Sequence, residues 1–364
     1  QLVAGLKRLG LEHIPSHGNF VTFKAGDGAA VNQKLLKQGV IVRPIGGYGL
    51  PEWLRVTIGT EPENARFLEA LEKALEMPEF GKVVVLGTGL IGGSFALALK
   101  EAEAVEEVVG FGRTPSTLRV AQELGVIDRA GINPTHEIED ADIVLLATPV
   151  AQMPEIFERI GPYLGPNTIV TDGGSTKGDV IAAARAALGE RISQFVPAHP
   201  IAGAENSGPA AARGDLYLGK KVVVTPLPEN SDDALDHIKR AWSRCGADIY
   251  ELTPEAHDRV FAAVSHLPHL LSFALVHDLA VREDADLFFT FAASGFRDFT
   301  RIAASHPEMW RDICLANRAA LLGELDSYRA QLDELRTVLA HSDGERLEEI
   351  FGIARQARRS WAGD

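Results

Sequence analysis

Four short segments of the sequence hold polar residues in otherwise apolar surroundings: 171–177, 198–208, 265–269 and 294–301. In the second, His199 ends a predicted strand, and an imidazole, whose ordinary pKa lies near neutral pH, is a suitable general base for an alcohol proton. In the first, Ser175 follows another predicted strand in a glycine-rich turn. Its hydroxyl could reach the same reacting oxygen, or it could only form the turn. The alternative for His199 is a strand-end side chain hydrogen-bonded to backbone.

A glycine-rich loop, Gly-Thr-Gly-Leu-Ile-Gly-Gly at 87–93, lies between an apolar strand pattern and a helix pattern. In a dinucleotide-binding loop Gly87 would permit the tight turn, Gly89 the approach of the diphosphate, and Gly92 close packing of the helix on its strand. The N-terminus of the helix would offer free N–H groups to the diphosphate. The alternative is a glycine-rich turn in another kind of α/β protein.

The end of the second strand decides which nucleotide the loop prefers. An NAD enzyme usually has an acid there, about 20 residues after the glycines, that binds the ribose 2′-hydroxyl. Here Gly112 and Arg113 occupy the position, and an arginine beside small residues suits a 2′-phosphate. We therefore expect NADP in preference to NAD, unless Arg113 is solvated and without cofactor contact. The expected cofactor-binding residues are Gly87, Thr88, Gly89, Leu90, Ile91, Gly92, Arg113, Thr148 and Pro149.

The elements that must position these residues fall into three zones, 1–79, 80–252 and 253–364. In the middle zone, strand patterns alternate with helix patterns, which predicts an α/β Rossmann-type doubly wound parallel sheet. Its predicted strands are 82–86, 107–111, 143–147, 168–171, 194–197 and 221–225, and its main helices are 91–100, 115–124 and 177–188. The first zone predicts an α+β unit with helices 32–38 and 61–76, strands 19–23, 40–43 and 54–58, and a linker at 77–81.

The last zone has helical periodicity and predicts an all-α domain. Thr253 and Pro254 are typical of a helix start. Up to Ala280 apolar residues run nearly all around the helix, which is typical of a buried helix or of a subunit interface, so we expect a homodimer through this domain. Pro268 predicts a kink.

Composition excludes several classes of protein. A net charge of −14 disfavours nucleic acid and anionic membranes as partners. The two cysteines form no CxxC pattern, which excludes a disulfide scaffold or a thiolate zinc site, and we expect no metal. We see no apolar run approaching the ~18–20 residues of a membrane span and no signal-peptide pattern, so we expect a cytoplasmic protein. The chain starts without Met, which suggests a piece of a longer protein.

The glycine loop and the four polar segments, in this order, resemble the prephenate and arogenate dehydrogenase family from Gly81 to the end of the chain. The resemblance implies oxidative decarboxylation of prephenate or arogenate in tyrosine biosynthesis, with hydride transfer to the nicotinamide. It implies that His199 is the base for the ring hydroxyl and that Ser175 is its partner. It implies substrate-binding roles for Arg301, His269, Ser265 and Glu205, with Glu205 discriminating between the two substrates.

Three details remain open at this stage. Asp298 lies three residues before Arg301, so the acid could hold the guanidinium for bidentate contact with a carboxylate, or the two could form only a structural ion pair. His269 could instead be a core histidine hydrogen-bonded to backbone. Two other functions also compete: a different Rossmann-plus-helical hydroxyacid dehydrogenase, which would generally use a catalytic lysine in the helical domain, and a non-catalytic NADP-binding regulatory protein.

The first zone resembles another family, the C-terminal small domain of histidinol-phosphate aminotransferases, in segments 15–21, 39–44 and 47–60. That resemblance implies that Arg55 binds a substrate carboxylate and Arg43 a phosphate. The zone has neither the pyridoxal-phosphate domain nor a lysine in a Schiff-base context, so we expect the fragment to be inactive. A truncated natural fusion and a mistaken gene start both explain such a chain.

Overall fold

The computed structural model describes residues 1–76, 78–204 and 206–362. Residues 1–76 form a four-stranded antiparallel sheet, ordered β1-β2-β4-β3, with helices packed against it. Its elements are α1 (Leu2–Arg8), β1 (His13–Ile14), β2 (Phe20–Lys24), α2 (Gly28–Lys37), β3 (Arg43–Pro44), β4 (Trp53–Thr57) and α3 (Glu61–Glu76). The predicted α+β unit is therefore confirmed, although the strand expected at 40–43 pairs only from Arg43 onward.

The middle of the chain forms a six-stranded parallel sheet in the order β10-β9-β8-β5-β6-β7, which confirms the predicted Rossmann-type fold. Its elements are β5 (Phe80–Leu86), α4 (Leu90–Glu101), β6 (Val105–Phe111), α5 (Pro115–Glu123), β7 (Arg129–Ala130), α6 (Pro134–Ile138), β8 (Ile143–Leu146), α7 (Met153–Ile160), β9 (Ile169–Asp172), α8 (Gly178–Leu188) and β10 (Phe195–Val196). The strand order reverses between β5 and β8, and ligands of such sheets bind outside the carboxyl ends of the strands at this point. The expected linker is shorter than predicted, because Phe80 already pairs with Val105.

The apolar run of β5 explains its central place in the sheet. Val83 and Val85 are buried among α4 and the later helix Asp232–Arg244, whereas Val84 is buried on the other face with Phe157 of α7. A strand covered by helices on both faces must be apolar at successive positions rather than at alternate ones. The glycine loop thus starts from a central strand that is buried on both faces.

A second sheet of three strands, which the sequence did not predict as separate, carries His199. Its elements are β11 (Ala198–Pro200), β12 (Lys221–Val224), α9 (Asp232–Arg244) and β13 (Asp248–Glu251). β12 is antiparallel to β11 and parallel to β13, so the assignment of 221–225 to the Rossmann sheet was wrong. The chain leaves the first sheet at Pro197, which has no N–H to continue a ladder, and an apolar strand pattern does not reveal which sheet a strand joins.

The rest of the chain is helical, as predicted. Its elements are α10 (Pro254–Phe261), a π-helical turn (Ala262–His266), α11 (Leu267–Ala280), α12 (Ala285–Phe291), α13 (Ser294–Thr300), α14 (Pro307–Ala316), α15 (Arg318–Ala340) and α16 (Gly344–Ala362). The Thr253 hydroxyl accepts a hydrogen bond from the Ala256 N–H at 3.2 Å, which confirms the predicted cap. Pro268 lies in the first turn of α11, directly after the π turn. Proline conflicts with the carbonyl four residues earlier, and the wider π turn relieves that conflict.

The helix from Pro254 to Ala280 corrects one expectation from the sequence. By length and composition it could cross a membrane, since an 18-residue window has a mean hydropathy of 1.4, and 28% of that window is buried. The sequence analysis expected no such helix, because charged residues near the start of Pro254–Ala280 interrupt its apolar pattern. Inside this helix, however, the Asp258 carboxylate accepts hydrogen bonds from the Lys177 and Gly178 N–H groups, so the helix packs on the Rossmann region. The low burial suits the subunit-interface interpretation rather than that of a buried helix.

Candidate active site

The glycine loop has the backbone geometry that a diphosphate site requires. Gly87 has φ +106°, and a Cβ there would lie 2.5 Å from the Ala147 carbonyl oxygen. A Cβ on Gly92 would lie 2.1 Å from the Gly87 carbonyl oxygen. A Cβ on Gly89, in contrast, would meet no atom of the described residues within 4 Å. Two glycines are therefore needed for packing, and the third leaves open space at the start of α4.

Two buried hydroxyls next to this loop indicate a polar ligand. Thr88 Oγ1 and Thr148 Oγ1 are both buried and have no hydrogen-bond partner in the part of the chain that the structure describes. Buried polar atoms are paired in the great majority of cases, and a dinucleotide bound in this loop would give these two hydroxyls a partner. Thr148 Cγ2 also lies 3.2 Å from the Cβ position of Gly87, which places the end of β8 against the loop. The residues present fit a bound dinucleotide.

The end of β6 lies beside the same loop. A Cβ on Gly112 would lie 3.4 Å from Thr88 Oγ1. Arg113 follows and is exposed. The next residue, Thr114, caps α5 by accepting a hydrogen bond from the Thr117 N–H at 3.3 Å. Arg113 is therefore near the expected ribose position, and the preference for NADP stays a prediction.

His199 lies in β11, opposite Val223 of β12, and not at a strand end of the first sheet. The Ala198 N–H donates to the Asp172 carboxylate at 3.1 Å, which ties β11 to the end of β9. A Cβ on Gly173 would lie 3.0 Å from Ile91 Cγ2 and 3.8 Å from Pro200. Gly173, in the loop after β9, thus lies between Ile91 of the glycine loop and Pro200 of β11, the strand of His199. Ser175, partly exposed, belongs to this loop.

A buried ion pair holds this loop in place. Lys177 Nζ lies 2.5 Å from Asp172 Oδ2, and both side chains are fully buried. The Gly174 N–H donates to the same oxygen at 2.8 Å. Lys177 lies directly before α8 in the chain. The ion pair with Asp172 was not foreseen.

Two residues that sequence reasoning missed, His257 and Asp258, stand behind His199. His199 Nδ1 lies 2.8 Å from His257 Nε2, and His257 Nδ1 lies 2.8 Å from Asp258 Oδ1. His257 is completely buried. The available signal was a His-Asp pair in the charged first turns of a helix that is apolar further on. A charge that is buried there is costly unless it is paired.

The ionisation of these groups follows from their surroundings. Burial lowers the pKa of His199 well below its ordinary value, and His257, Lys177 and His266 lower it further. Burial likewise lowers the pKa of His257, against the hydrogen bond to Asp258. Burial alone would raise the pKa of Asp258, but hydrogen bonds from His257 and from the Gly178 and Lys177 N–H groups outweigh it, and the pKa lies below its usual range. Both imidazoles are therefore neutral at neutral pH and the carboxyl is ionised.

The helical region presents a second group of predicted residues. The His269 ring stacks on Trp310 with 3.5 Å between centroids, and its Nδ1 lies 2.9 Å from the Ser265 carbonyl oxygen. The backbone hydrogen bond that we considered as the alternative role of His269 is thus present, and it leaves Nε2 of the ring for another partner. Burial lowers the pKa of His269, and the positive charge of Arg301 lowers it further.

The remaining predicted residues are placed as follows. Ser265 is partly exposed in the π turn. Asp298 is in α13, Arg301 begins the 3-10 turn after it, and both are exposed. Glu205, the expected discriminator between substrates, lies outside the described residues. Nothing in these positions tests the binding roles, which stay predictions.

A glycine loop at the switch point of a parallel sheet, with a neutral imidazole next to it, defines a Rossmann-fold oxidoreductase that binds a nicotinamide nucleotide. Comparison with known families makes the class specific. Residues 95–251 match the model of the prephenate dehydrogenase nucleotide-binding domain, and residues 253–353 match that of the prephenate dehydrogenase dimerization domain. The chain belongs to the prephenate dehydrogenase family, as its motifs suggested.

Individual relatives agree with this assignment. The prephenate dehydrogenase of Bacillus subtilis (strain 168) is 36% identical over 278 residues, which are 76% of this chain and 75% of that protein. A crystal structure of the A. aeolicus prephenate dehydrogenase with hydroxyphenyl propionate and NAD+ has a TM-score of 0.72 at 36% identity, covering 77% of this chain and 98% of that chain. Synechocystis arogenate dehydrogenase has a TM-score of 0.67 at 31% identity, covering 77% and 99%.

The N-terminal resemblance is confirmed as well. Residues 1–71 match the model of class I and II aminotransferases. The histidinol-phosphate aminotransferase 1 of Dechloromonas aromatica (strain RCB) is 92% identical over 75 residues, which are 21% of each chain. The chain thus joins a small part of one enzyme family to a dehydrogenase.

Proposed function

We propose that this chain oxidises the ring carbinol of prephenate or arogenate, with NADP or NAD as hydride acceptor, and that the ring carboxylate then leaves as CO2. The observation that carries the proposal is the neutral imidazole of His199, set one loop away from an open glycine loop. A bound nicotinamide would supply the hydride acceptor. Aromatisation of the ring drives the loss of the carboxylate.

His199 Nε2 accepts the proton of the ring hydroxyl in this proposal. The His199 imidazole must be neutral to accept this proton, and burial keeps it neutral. Ser175 donates or accepts a hydrogen bond at the same oxygen from the loop that Asp172 and Lys177 hold. The chain supplies alignment, and removal of water from the site strengthens every charged contact in it.

Arg301 binds a substrate carboxylate in a bidentate manner, with Asp298 orienting it. His269, held by Trp310 and the Ser265 carbonyl, presents Nε2 to the substrate side chain, and Ser265 lies beside it. We assign Glu205 the discrimination between the keto and amino ends of the two substrates. The stacking of His269 on Trp310 supports the proposal, since it gives this ring a single orientation.

NADP is the proposed cofactor and NAD the second choice. The residues directly after β6 include no carboxylate for a ribose 2′-hydroxyl, but they include Arg113, which suits a 2′-phosphate. A steady-state comparison tests substrate and cofactor together: purified protein is given prephenate or arogenate, each with NADP and NAD, and reduced nicotinamide is measured by absorbance. Binding of NADP without turnover of either substrate would favour the regulatory protein, and turnover of a 3-hydroxyacid alone would favour the other dehydrogenase class.

The organisation of the whole chain is part of the proposal. The units are 1–79, 80–252 and 253–364, with a homodimer formed through the helical region in the cytoplasm. Two observations support the dimer: the dimerization-domain match and the exposed apolar residues of the helical region, among them Phe291 and Val264. We propose that the aminotransferase fragment is inactive and that neither nucleic acid nor membrane is a partner. Light scattering of the purified protein tests the dimer.

A further inference from the structure

The row of groups behind His199 allows the position of every proton in it to be assigned. The Asp258 carboxylate, ionised, can only accept hydrogen bonds, so His257 must donate to it from Nδ1. His257 Nε2 then carries a lone pair, and His199 must donate to it from Nδ1. The one basic atom left in the row is His199 Nε2. A histidine without these partners could carry its proton on either nitrogen.

We propose that His257 and Asp258 are positioning residues of this active site, which fix the tautomer of His199 and take over the positive charge that forms during turnover. The inference rests on the proposed function, in which His199 accepts the substrate proton. His257 and Asp258 therefore do more than orient the His199 ring, because they also stabilise the positive charge that forms when the substrate loses its proton.

The transfer balances as a movement of two protons. The substrate O–H bond breaks and an N–H bond forms at His199 Nε2. The N–H bond at His199 Nδ1 breaks and one forms at His257 Nε2, so His199 stays neutral and His257 becomes an imidazolium beside the Asp258 carboxylate. No group is oxidised or reduced in this step. When CO2 leaves and the ring becomes aromatic, the ring oxygen takes back the proton from His199 Nε2, and the proton on His257 Nε2 returns to His199 Nδ1 before the product leaves.

The charged and titratable groups around the row explain why the charge would move away from His199. His199 faces the Lys177 ammonium, His257 and His266, and among the described residues it contacts no carboxylate directly. His257 Nδ1 lies 2.8 Å from the Asp258 carboxylate oxygen. The more distant charges act in opposite directions on the pKa of His257, since Lys177 lowers it and Asp172 raises it. A cation bonded to a carboxylate is favoured over one that faces an ammonium. Burial lowers the pKa of His266, Asp258 raises it, and His257 and His269 lower it further.

The row is held from two parts of the fold. His199 lies on β11, whereas His257 and Asp258 lie on α10 of the helical region. Asp258 accepts the Lys177 and Gly178 N–H groups at 2.9 and 2.8 Å, and its backbone oxygen accepts Asn317 Nδ2 at 2.7 Å. The Phe261 ring packs against both imidazoles, with centroids 4.8 Å from His199 and 4.5 Å from His257. Such fixed geometry is what short proton transfers require.

His257→Gln separates orientation from charge. Glutamine can accept the His199 N–H through Oε1, but it cannot take up a proton. We expect KM within about 3-fold of wild type, a kcat lower by about 10²-fold, and an acid limb of the kcat–pH profile moved to lower pH, because a proton taken up by His199 can no longer be passed to His257 beside Asp258. His237→Gln, which places the same amide at a half-buried imidazole next to Phe80, is the control and should change neither kcat nor the acid limb.

A His257→Gln enzyme with wild-type kcat and an unmoved acid limb would overturn the proposal. If that variant does not fold, ring 15N NMR of wild-type protein labelled at histidine decides: protonation of His199 and His257 at Nδ1 is expected, and a His199 protonated at Nε2 refutes the row. The NMR result does not need turnover. A wild-type enzyme inactive on both substrates would therefore defeat the proposed function while the proton positions were still tested.

Discussion

Replacing Lys177 by methionine would test the buried ion pair that holds the catalytic loop. The side chain is similar in length, but Asp172 would remain as a fully buried carboxylate without its cation. Removing one partner of a buried pair costs about 3–5 kcal/mol, against a usual total stability of about 5–15 kcal/mol. Because the Gly174 and Ala198 N–H groups still donate to Asp172, we expect the lower end, about 3 kcal/mol.

Thermal unfolding followed by circular dichroism measures this loss. At about 2–4 °C per kcal/mol, Lys177→Met should lower Tm by about 6–12 °C. Asp172→Asn combined with Lys177→Met should lose less than the sum of the single changes, because no charge is left uncompensated. Lys73→Met, which removes an exposed pair with Glu69 four residues away, is the matched control and should leave Tm unchanged. A Lys177→Met protein with wild-type Tm would refute the reasoning.

The remaining predictions concern the site and the pH dependence of folding. His199→Asn should lower kcat by about 10²–10⁴-fold while NADP still quenches protein fluorescence, and loss of NADP binding would mean that the imidazole is structural. Arg113→Ala should raise KM for NADP and leave KM for NAD unchanged in steady-state assays; equal effects on both would contradict a 2′-phosphate contact. Burial lowers the pKa of His237 from 6.5 to about 4, so the unfolded chain takes up this proton first as the pH falls. Stability should therefore fall by up to about 3 kcal/mol between pH 6.5 and 4, and His237→Leu should make urea-unfolding curves less dependent on pH over that window.

The cofactor half of the site could be predicted because its determinants are local in sequence. Gly87, Gly89 and Gly92 lie within six residues, directly after a strand whose apolar run identifies it. The turn geometry depends on these residues themselves, so the pattern carries the conformation. The end of β8 followed in the same way from an apolar run that stops at Thr148.

The catalytic half could be predicted only in part. His199 was recognisable, but its partner His257 lies 58 residues further along the chain, and no spacing rule links residues on a strand of one sheet to residues on a later helix. The second sheet was missed for the same reason, since the pairing of β11 with β12 depends on tertiary packing. The π turn before Pro268 was expected as a kink because proline announces a conflict but not how the backbone resolves it.

The location of Asp258 on the first helix after the Rossmann region has a consequence for engineering this protein. A chimaera that takes its sheet from this chain and its helices from a relative would inherit the acid from the donor of the helices and the base from the other parent. Activity in such hybrids would then depend on whether the N–H groups at the start of α8 in one parent still donate hydrogen bonds to the carboxylate from the other parent. Crossover points placed after residue 258 would keep both groups from one parent, and points placed before it would not.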